Sequence, residues 1–471
     1  MELNLTLMSY RSDSLPISAQ RLINAYAEIQ PQSAKKTMTV FGSPGLSDFA
    51  TIGRGPIRGM IEMNGIGYCV SGSDFYSFNS TGVATQLGGG IGGRHTVSMA
   101  GDGFEIVVVN GVAGYSYLAS AGTFVQILDP AFNPASTVSV CDNIFVFDWL
   151  GTNKWFISQP LDGRTYDALQ FASAESNPDR VKAIRNRSGT VLVFGERTVE
   201  TWDHTGAPDF PFQRFKAGTA DRGIRAPLAI ESEDEAIFML GDDLVFYRMS
   251  GQGLMRISTH AIEKEWATYT ATSDAFCFKV AYGGHKFIYL TFPTEGKTWG
   301  FDLASQYLWH ERLSWDATGE EVKWRANCSV TIFEKTLIGD ANTGRIGFID
   351  PGVFTEFGDP IVTTMLLPPI HADGRRVFMP KFELDMQSGV GLTLGQGAPP
   401  DVMLEYSDDG GFTFESPEKW TTAGAIGKYD TRLQWDRLGS FYQRTMKISV
   451  SDPVKRVFIA ARAPNSSIGT E

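Results

Sequence analysis

GTVLVFGERTVETWDHTG, residues 189–206, holds two apolar runs parted by a short polar turn and closed by a further turn with glycine. A stretch of this kind reads as two short strands folded into a hairpin. The same pattern recurs in GIGYCVSGSDFYSFNSTG from Gly65, EIVVVNGVAGYSYLASAG from Glu105 and NIFVFDWLGTNKWFISQPLDG from Asn143. It returns in AIFMLGDDLVFYRMSGQG from Ala236, KFIYLTFPTEGKTWGFDL from Lys286 and TIFEKTLIGDANTGRIGFIDPG from Thr331, with starts 38 to 50 residues apart. A period of that size has room for two strands beyond the visible pair, which is the content of a four-stranded propeller blade. One such blade cannot cover both of its faces, so neighbours must stack until a ring closes. Seven hairpins predict an all-β chain with a β-propeller of six or seven blades. A pair of sandwiches with similar turn spacing is the competing reading.

The composition agrees with many short strands: 50 Gly, 22 Pro and 32 Phe in 471 residues, with apolar runs broken by Gly, Asn and Asp. Helix is scarce. STHAIEKEWATYT places Ile262, Trp266 and Tyr269 on one face behind a cap at Ser258 or Thr259, the pattern of a rim helix. SLPISAQRLINAYAEIQ, from Ser14, is open between a helix begun near Pro16 and an extended arm, because Leu22, Asn24, Tyr26 and Glu28 also alternate.

Beyond about residue 360 the repeat gives way to longer alternating strands. In KFELDM, Phe382, Leu384 and Met386 face one way and Lys381, Glu383 and Asp385 the other. VMLEY, YDTRLQW, YQRTMKISV and KRVFIAARA continue the series, which predicts a C-terminal β-sandwich-like domain with one wet face. Pro351, Gly352, Gly358 and Pro360 mark the junction. The expected division is an N-terminal arm over 1–40, a propeller over 41–355 and the sandwich over 356–471.

The start MELNLTLMSYRSDSLPIS has neither the basic opening nor the apolar core of a signal peptide, and no apolar run nears the length of a membrane span. A soluble chain without membrane insertion is the expectation. Cys69, Cys141, Cys277 and Cys328 stand singly, which predicts reduced core thiols rather than a metal or redox pair. A formal net charge of −12 argues against a grip on nucleic acid, whose affinity comes from Lys and Arg displacing counterions. It permits DNA as a passenger along a repelling wall.

The motifs that carry chemistry elsewhere have structural readings here. GGGIGG, Gly88 to Gly93, has the spacing of a dinucleotide loop but opens no helical pattern. His95, His204, His260, His285, His310 and His371 show no metal-ligand spacing, and no cofactor is expected. YSDDGGFTF, Tyr406 to Phe414, matches the Asp box that recurs in sialidase propellers. Asp409 can accept backbone N–H groups across the turn, Gly410 and Gly411 permit positive φ, and Phe412 or Phe414 can anchor the hairpin, with Ser407 and Thr413 completing the box. Sialidase-like propellers repeat the box on several blades and need an arginine cluster, a tyrosine nucleophile and acidic partners. Here it occurs once, outside the apparent propeller. ESEDEA, with Glu231, Glu233, Asp234 and Glu235, and GDD, with Asp242 and Asp243, read either as solvated rim loops or as candidate channel lining.

FGSPGL and RGM near the start, the block GTVLVFGERTVETWDHTGAPDFPFQR, and the tail from HADGRRVFMPKFELDMQSGVG through RLQWDRLGSFYQRTMKISVSDPVKRVFIAARA carry a resemblance. Together they are similar to the packaged-DNA stabilisation proteins, the tail hub or nozzle proteins of short-tailed bacteriophages. The resemblance implies a non-catalytic virion tail protein, assembled in the host cytoplasm. It implies a hexameric ring below the portal and its adaptor ring, with a tail needle, tailspike or fibre as distal partner, retaining packaged double-stranded DNA and conducting it at ejection. Arg375, Arg376, Arg432, Arg437 and Arg444 are then the candidate inter-subunit contacts. A glycan-active propeller and a receptor-binding tail protein are the rival functions.

Overall fold

The computed structural model describes residues 1–174, 179–251, 253–415 and 419–469, without the side chains of residues 216, 217 and 419. Each predicted hairpin is present as the second and third strands of a four-stranded antiparallel blade. Thr190–Gly195 and Val199–His204, for example, lie between Val181–Arg187 and Phe212–Ala220. The described residues form seven such blades. The second strands stood out in the sequence because neighbouring blades cover both of their faces: Glu105–Val109, Ile144–Asp148 and Ala236–Leu240 are buried throughout. Outer strands such as Thr123–Gln126 are largely exposed and carry no apolar run.

The ring closes with an N-terminal strand. Ala326–Ile332, Lys335–Asp340 and Arg345–Asp350 supply three strands of the last blade, and Gly45–Thr51 supplies the fourth, with Phe348 opposite Ser47. The two ends of the propeller are thereby joined by a backbone ladder. First-to-second strand turns need two residues of positive φ, the geometry of a type I′ hairpin. Asn64 and Gly65 (φ 55 and 76) and Ser188 and Gly189 (φ 50 and 81) meet it with the residues that favour it.

The sandwich differs from expectation at its N-terminal edge. Residues 1–40, expected as an arm, are woven into both of its sheets. Ala25–Ile29 and Met38–Gly42 continue one sheet through Val457–Arg462, Lys381–Met386 and Leu433–Asp436. Ala19–Ile23 joins the other through Thr363–Leu366, Gln443–Val450, Asp401–Ser407 and Lys419–Thr422. The segment open between helix and arm is therefore strand, and alternation, not Pro16, was the informative signal. Asn24 makes the crossing between sheets at φ 53, and its amide is used in full. Nδ2 donates to the carbonyls of Leu313 and Val362, both at 2.9 Å, and Oδ1 accepts the Leu313 N–H at 3.0 Å. Leu22, Ala25 and Val40 complete a core with Phe382, Leu384, Trp435, Met446 and Phe458. In KFELDM the alternation is observed as read: Phe382, Leu384 and Met386 are buried, their neighbours half-exposed.

Propeller and sandwich share a sheet, since Ile23 pairs in parallel with Glu311 of the sixth blade. Buried charges fasten the same seam. Arg312 Nη2 meets Glu356 Oε1 at 2.8 Å and the Pro44 carbonyl at 3.0 Å, while Trp324 Nε1 donates to the same Glu356 oxygen at 2.7 Å and Ser314 to the other at 2.8 Å. Arg21, on a sandwich strand, reaches Glu311 at 2.5 Å and Glu321 at 2.8 Å. The helix His260–Ala267, capped by Thr259, buries Ile262 and Trp266 against the fifth and sixth blades.

Candidate functional site

The first strands of all seven blades surround a central tunnel. Its narrow part is a cavity of about 360 Å³ to which the blades contribute, in order, Met60, Ser98, Ser139, Arg185, Glu231, Cys277 and Ser329 among others. Burial lowers the Arg185 guanidinium, and its Nη1 donates to the Ile184 carbonyl at 3.1 Å. The same burial raises the Glu231 carboxyl against the pull of Lys279, and lifts the Cys277 thiol well above its ordinary value. Cys328 is raised to about 12 and Cys141 to about 11, also by burial, and both are free thiols.

The six acidic residues singled out by composition do not form one wall. Glu231 faces the tunnel inside its own chain. Glu233 is bound by Lys279 at 2.9 Å and Lys286 at 2.6 Å, two cations of the next blade, and Asp234 also meets Lys286 at 2.5 Å. Asp234 and Glu235 form the first turn of the fifth blade at φ 46 and 59, without glycine. Asp242 and Asp243 occupy the next turn, at the other end of strand Ala236–Leu240 and so on the opposite face of the ring. There Asp242 accepts the Gly223 N–H at 3.2 Å, and Asp243 meets Arg222 at 3.2 Å and the Tyr247 hydroxyl at 2.8 Å. The sequence signalled charge density; it could not show the lysines and arginine that answer most of it.

The Asp box is a turn. Asp409 Oδ1 accepts the Ser407 hydroxyl at 2.6 Å and the Phe412 N–H at 2.9 Å, and Oδ2 accepts the Thr413 hydroxyl at 2.5 Å. These donors hold its carboxyl far below the usual range. Gly410 and Gly411 sit at φ 86 and 98 and press against the N-terminal strand region: a Cβ on Gly410 would come 2.7 Å from Pro16, and one on Gly411 2.7 Å from Ala19. Phe412 is 66% exposed and anchors nothing, whereas the Phe414 ring lies 5.6 Å from the Lys447 ammonium.

The five arginines also separate. Arg444 is buried, paired with both oxygens of Asp408 at 2.6 Å, bonded to the Leu438 carbonyl at 2.5 Å and stacked on Tyr406 at 3.9 Å and Phe441 at 4.3 Å. Its hydrogen bonds are made within its own domain. Arg375, Arg376, Arg432 and Arg437 are exposed, Arg376 lying 5.2 Å from the Tyr442 ring. Among the described residues no cluster of three or more His, Cys, Asp and Glu is arranged to hold a metal ion.

What the residue types did not announce is the tunnel mouth on the face of the blade-to-blade links. A cavity of about 420 Å³ opens there, lined by Pro56, Pro227, Leu228, Phe276 and Pro293 together with Arg94, His95 and Lys323. These residues come from several blades and the links between them, and meet only because the ring closes.

The described residues thus form a seven-bladed ring seated on a sandwich that incorporates the N-terminal strands. The comparisons place it among phage structural proteins. The chain belongs to the bacteriophage P22 Gp10 family: the family's β-propeller profile matches residues 9–353 and its β-sandwich profile residues 363–465. Nothing among curated proteins matches. Solved structures with a likeness include the computationally designed Ika8 protein, at 9% identity and TM-score 0.38 over 64% of this chain and 99% of that one. The extracellular domain of the putative hybrid two component system BT4673 from B. thetaiotaomicron follows at 8% and 0.43 over 84% and 48%. The Cps50 (Swd1) β-propeller domain of Myceliophteria thermophila stands at 10% and 0.42 over 64% and 98%. These likenesses carry no function.

Proposed function

We propose that the protein is a tail hub or nozzle subunit, assembled in the host cytoplasm into a homo-hexameric ring below the portal and adaptor, which retains packaged DNA and conducts it at ejection. The observation that carries this reading is the match of both family profiles, which together span nearly the whole chain. Size decides where DNA would pass. A tunnel with cavities of about 360 and 420 Å³ is of small-ligand size, while the major groove of duplex DNA alone is about 12 Å wide. The DNA passage is therefore enclosed by several copies and not by one propeller. The two acidic runs lie on opposite faces, so the wall of that passage draws on one of them, and the exposed candidates are Asp234 and Glu235 on one face and Asp243 on the other. Closed rings use heterologous contacts, for which Arg375, Arg376, Arg432 and Arg437 remain available. The protein acts without catalysis or cofactor, with a needle, tailspike or fibre beyond it.

The test is a particle assembled without this protein. It is expected to package DNA and then lose it, read as nuclease-sensitive genomes in capsids of normal yield. Particles that keep their genomes and fail only in host attachment would replace this reading with receptor binding.

A further inference from the structure

The mouth on the link face combines an apolar floor with cations that lack carboxylate partners among the described residues. Pro56, Pro227, Leu228 and Pro293 supply the floor. Arg94 and His95 are exposed beside it. Lys323 makes one long bond, 3.5 Å to the Trp324 carbonyl. Asp274 is the carboxylate among the lining residues: its Oδ2 accepts the N–H and hydroxyl of Thr294 at 3.0 and 2.6 Å, while its buried Oδ1 has no hydrogen-bond partner among the described residues. The local excess of positive charge stands out in a chain whose formal net charge is −12.

We propose that this mouth is a docking site for an acidic peptide segment of another protein chain, with an apolar side chain seated on the prolines and Leu228 and a carboxylate held between Arg94 and Lys323. Charge complementarity and size both support this occupant. A cavity of about 420 Å³ accepts one or two side chains. A carboxylate there would supply the partner that Lys323 lacks in a half-buried position, where an unpaired charge is costly. Burial lowers that ammonium to about 8, with Asp340 acting in the opposite sense while being held by Arg325 at 3.1 Å. Duplex DNA fits less well. Its affinity scales with the number of phosphates neutralised, and Arg94 and Lys323 beside a proline-lined hollow offer few.

The site belongs to the isolated chain, so its test is separate from genome retention. A pool of randomised, end-blocked octapeptides would be selected on the immobilised full-length protein and sequenced by mass spectrometry. Peptides with Asp or Glu next to Leu, Ile, Val or Phe are expected to be enriched. The strongest of them should bind about a hundredfold more weakly to the Arg94→Ala, Lys323→Met double variant, the loss of two charge-assisted contacts at about tenfold each. The variant is confirmed as folded by an unchanged thermal transition; if it unfolds, Arg94→Ala alone serves for the comparison. No enrichment over a charge-neutral pool, equal retention by the variant, or displacement of the selected peptide by a 20-bp duplex at physiological salt would each overturn the proposal.

Discussion

The seam between propeller and sandwich and the mouth of the tunnel hold similar residue types in opposite conditions. At the seam Arg312 and Arg21 are matched by Glu356, Glu311 and Glu321, and the indole of Trp324 and the hydroxyl of Ser314 satisfy what remains of Glu356. At the mouth Arg94, His95 and Lys323 surround an apolar hollow without such partners among the described residues. Buried charge is tolerated where geometry and extra hydrogen bonds compensate its desolvation, and such places fix one arrangement of parts. Cations left beside a hollow contribute nothing to that fixing; they are free to take a partner from outside. The first region explains how two β domains hold one geometry, the second where the assembled surface is unfinished.

The sharpest way to break this contrast is to unpair the seam. Arg312→Met leaves Glu356 buried without its cation, and the expected loss is about 3–5 kcal/mol, measured by urea unfolding followed through tryptophan emission. Replacing Arg94 with Ala should leave that curve unmoved. Equal losses would mean that the mouth cations are structural too, and the distinction between the two regions would fail.

A smaller effect is expected at the Asp-box turn, which couples the sandwich to its borrowed N-terminal strand. Gly410→Val forces a branched side chain to φ 86 and into Pro16. It should cost about 1–3 kcal/mol, with no separable activity lost. A variant that melts like the parent yet fails to enter particles would show the turn to be a contact surface instead.

How legible was this in the sequence? The propeller was, because the second strand of every blade is buried on both faces and must be written as an unbroken apolar run, as in EIVVV and AIFML. The polar inner strands, such as Ile230–Glu233, were not, because the tunnel they line relaxes the demand for apolar residues. The place of the N-terminal strands escaped because the pairings that tie them into the sandwich span more than 300 residues: nothing near Leu22 shows that it pairs with Met365, or near Phe41 that it pairs with Val457. The candidate site was the least legible part. Acidic runs are visible as composition, yet Lys279 and Lys286, which neutralise much of one, belong to the following blade. Arg94 and His95 stand in a loop and Lys323 at the end of the short strand Glu321–Lys323, and only ring closure brings them to one cavity.

The remaining effect is the one most specific to the mouth. Burial lowers Lys323 from the ordinary 10.5 to about 8. Below pH 8 both folded and unfolded chains hold this proton, and the folded state bears the full cost of the buried charge. Between about 8 and 10.5 the folded chain has released it while the unfolded chain still binds it, so the unfolded state carries more protons and stability rises with pH. The stability difference between the parent and Lys323→Met should therefore change in the parent's favour across that window, while the other titrating groups act on both proteins alike and cancel. An acidic peptide bound at the mouth would favour the charged ammonium and shift the window upward, joining this measurement to the selection experiment. A difference that stays flat from pH 7 to 11 would show Lys323 to be fully hydrated, and the mouth would then be ordinary surface rather than a site prepared for a carboxylate.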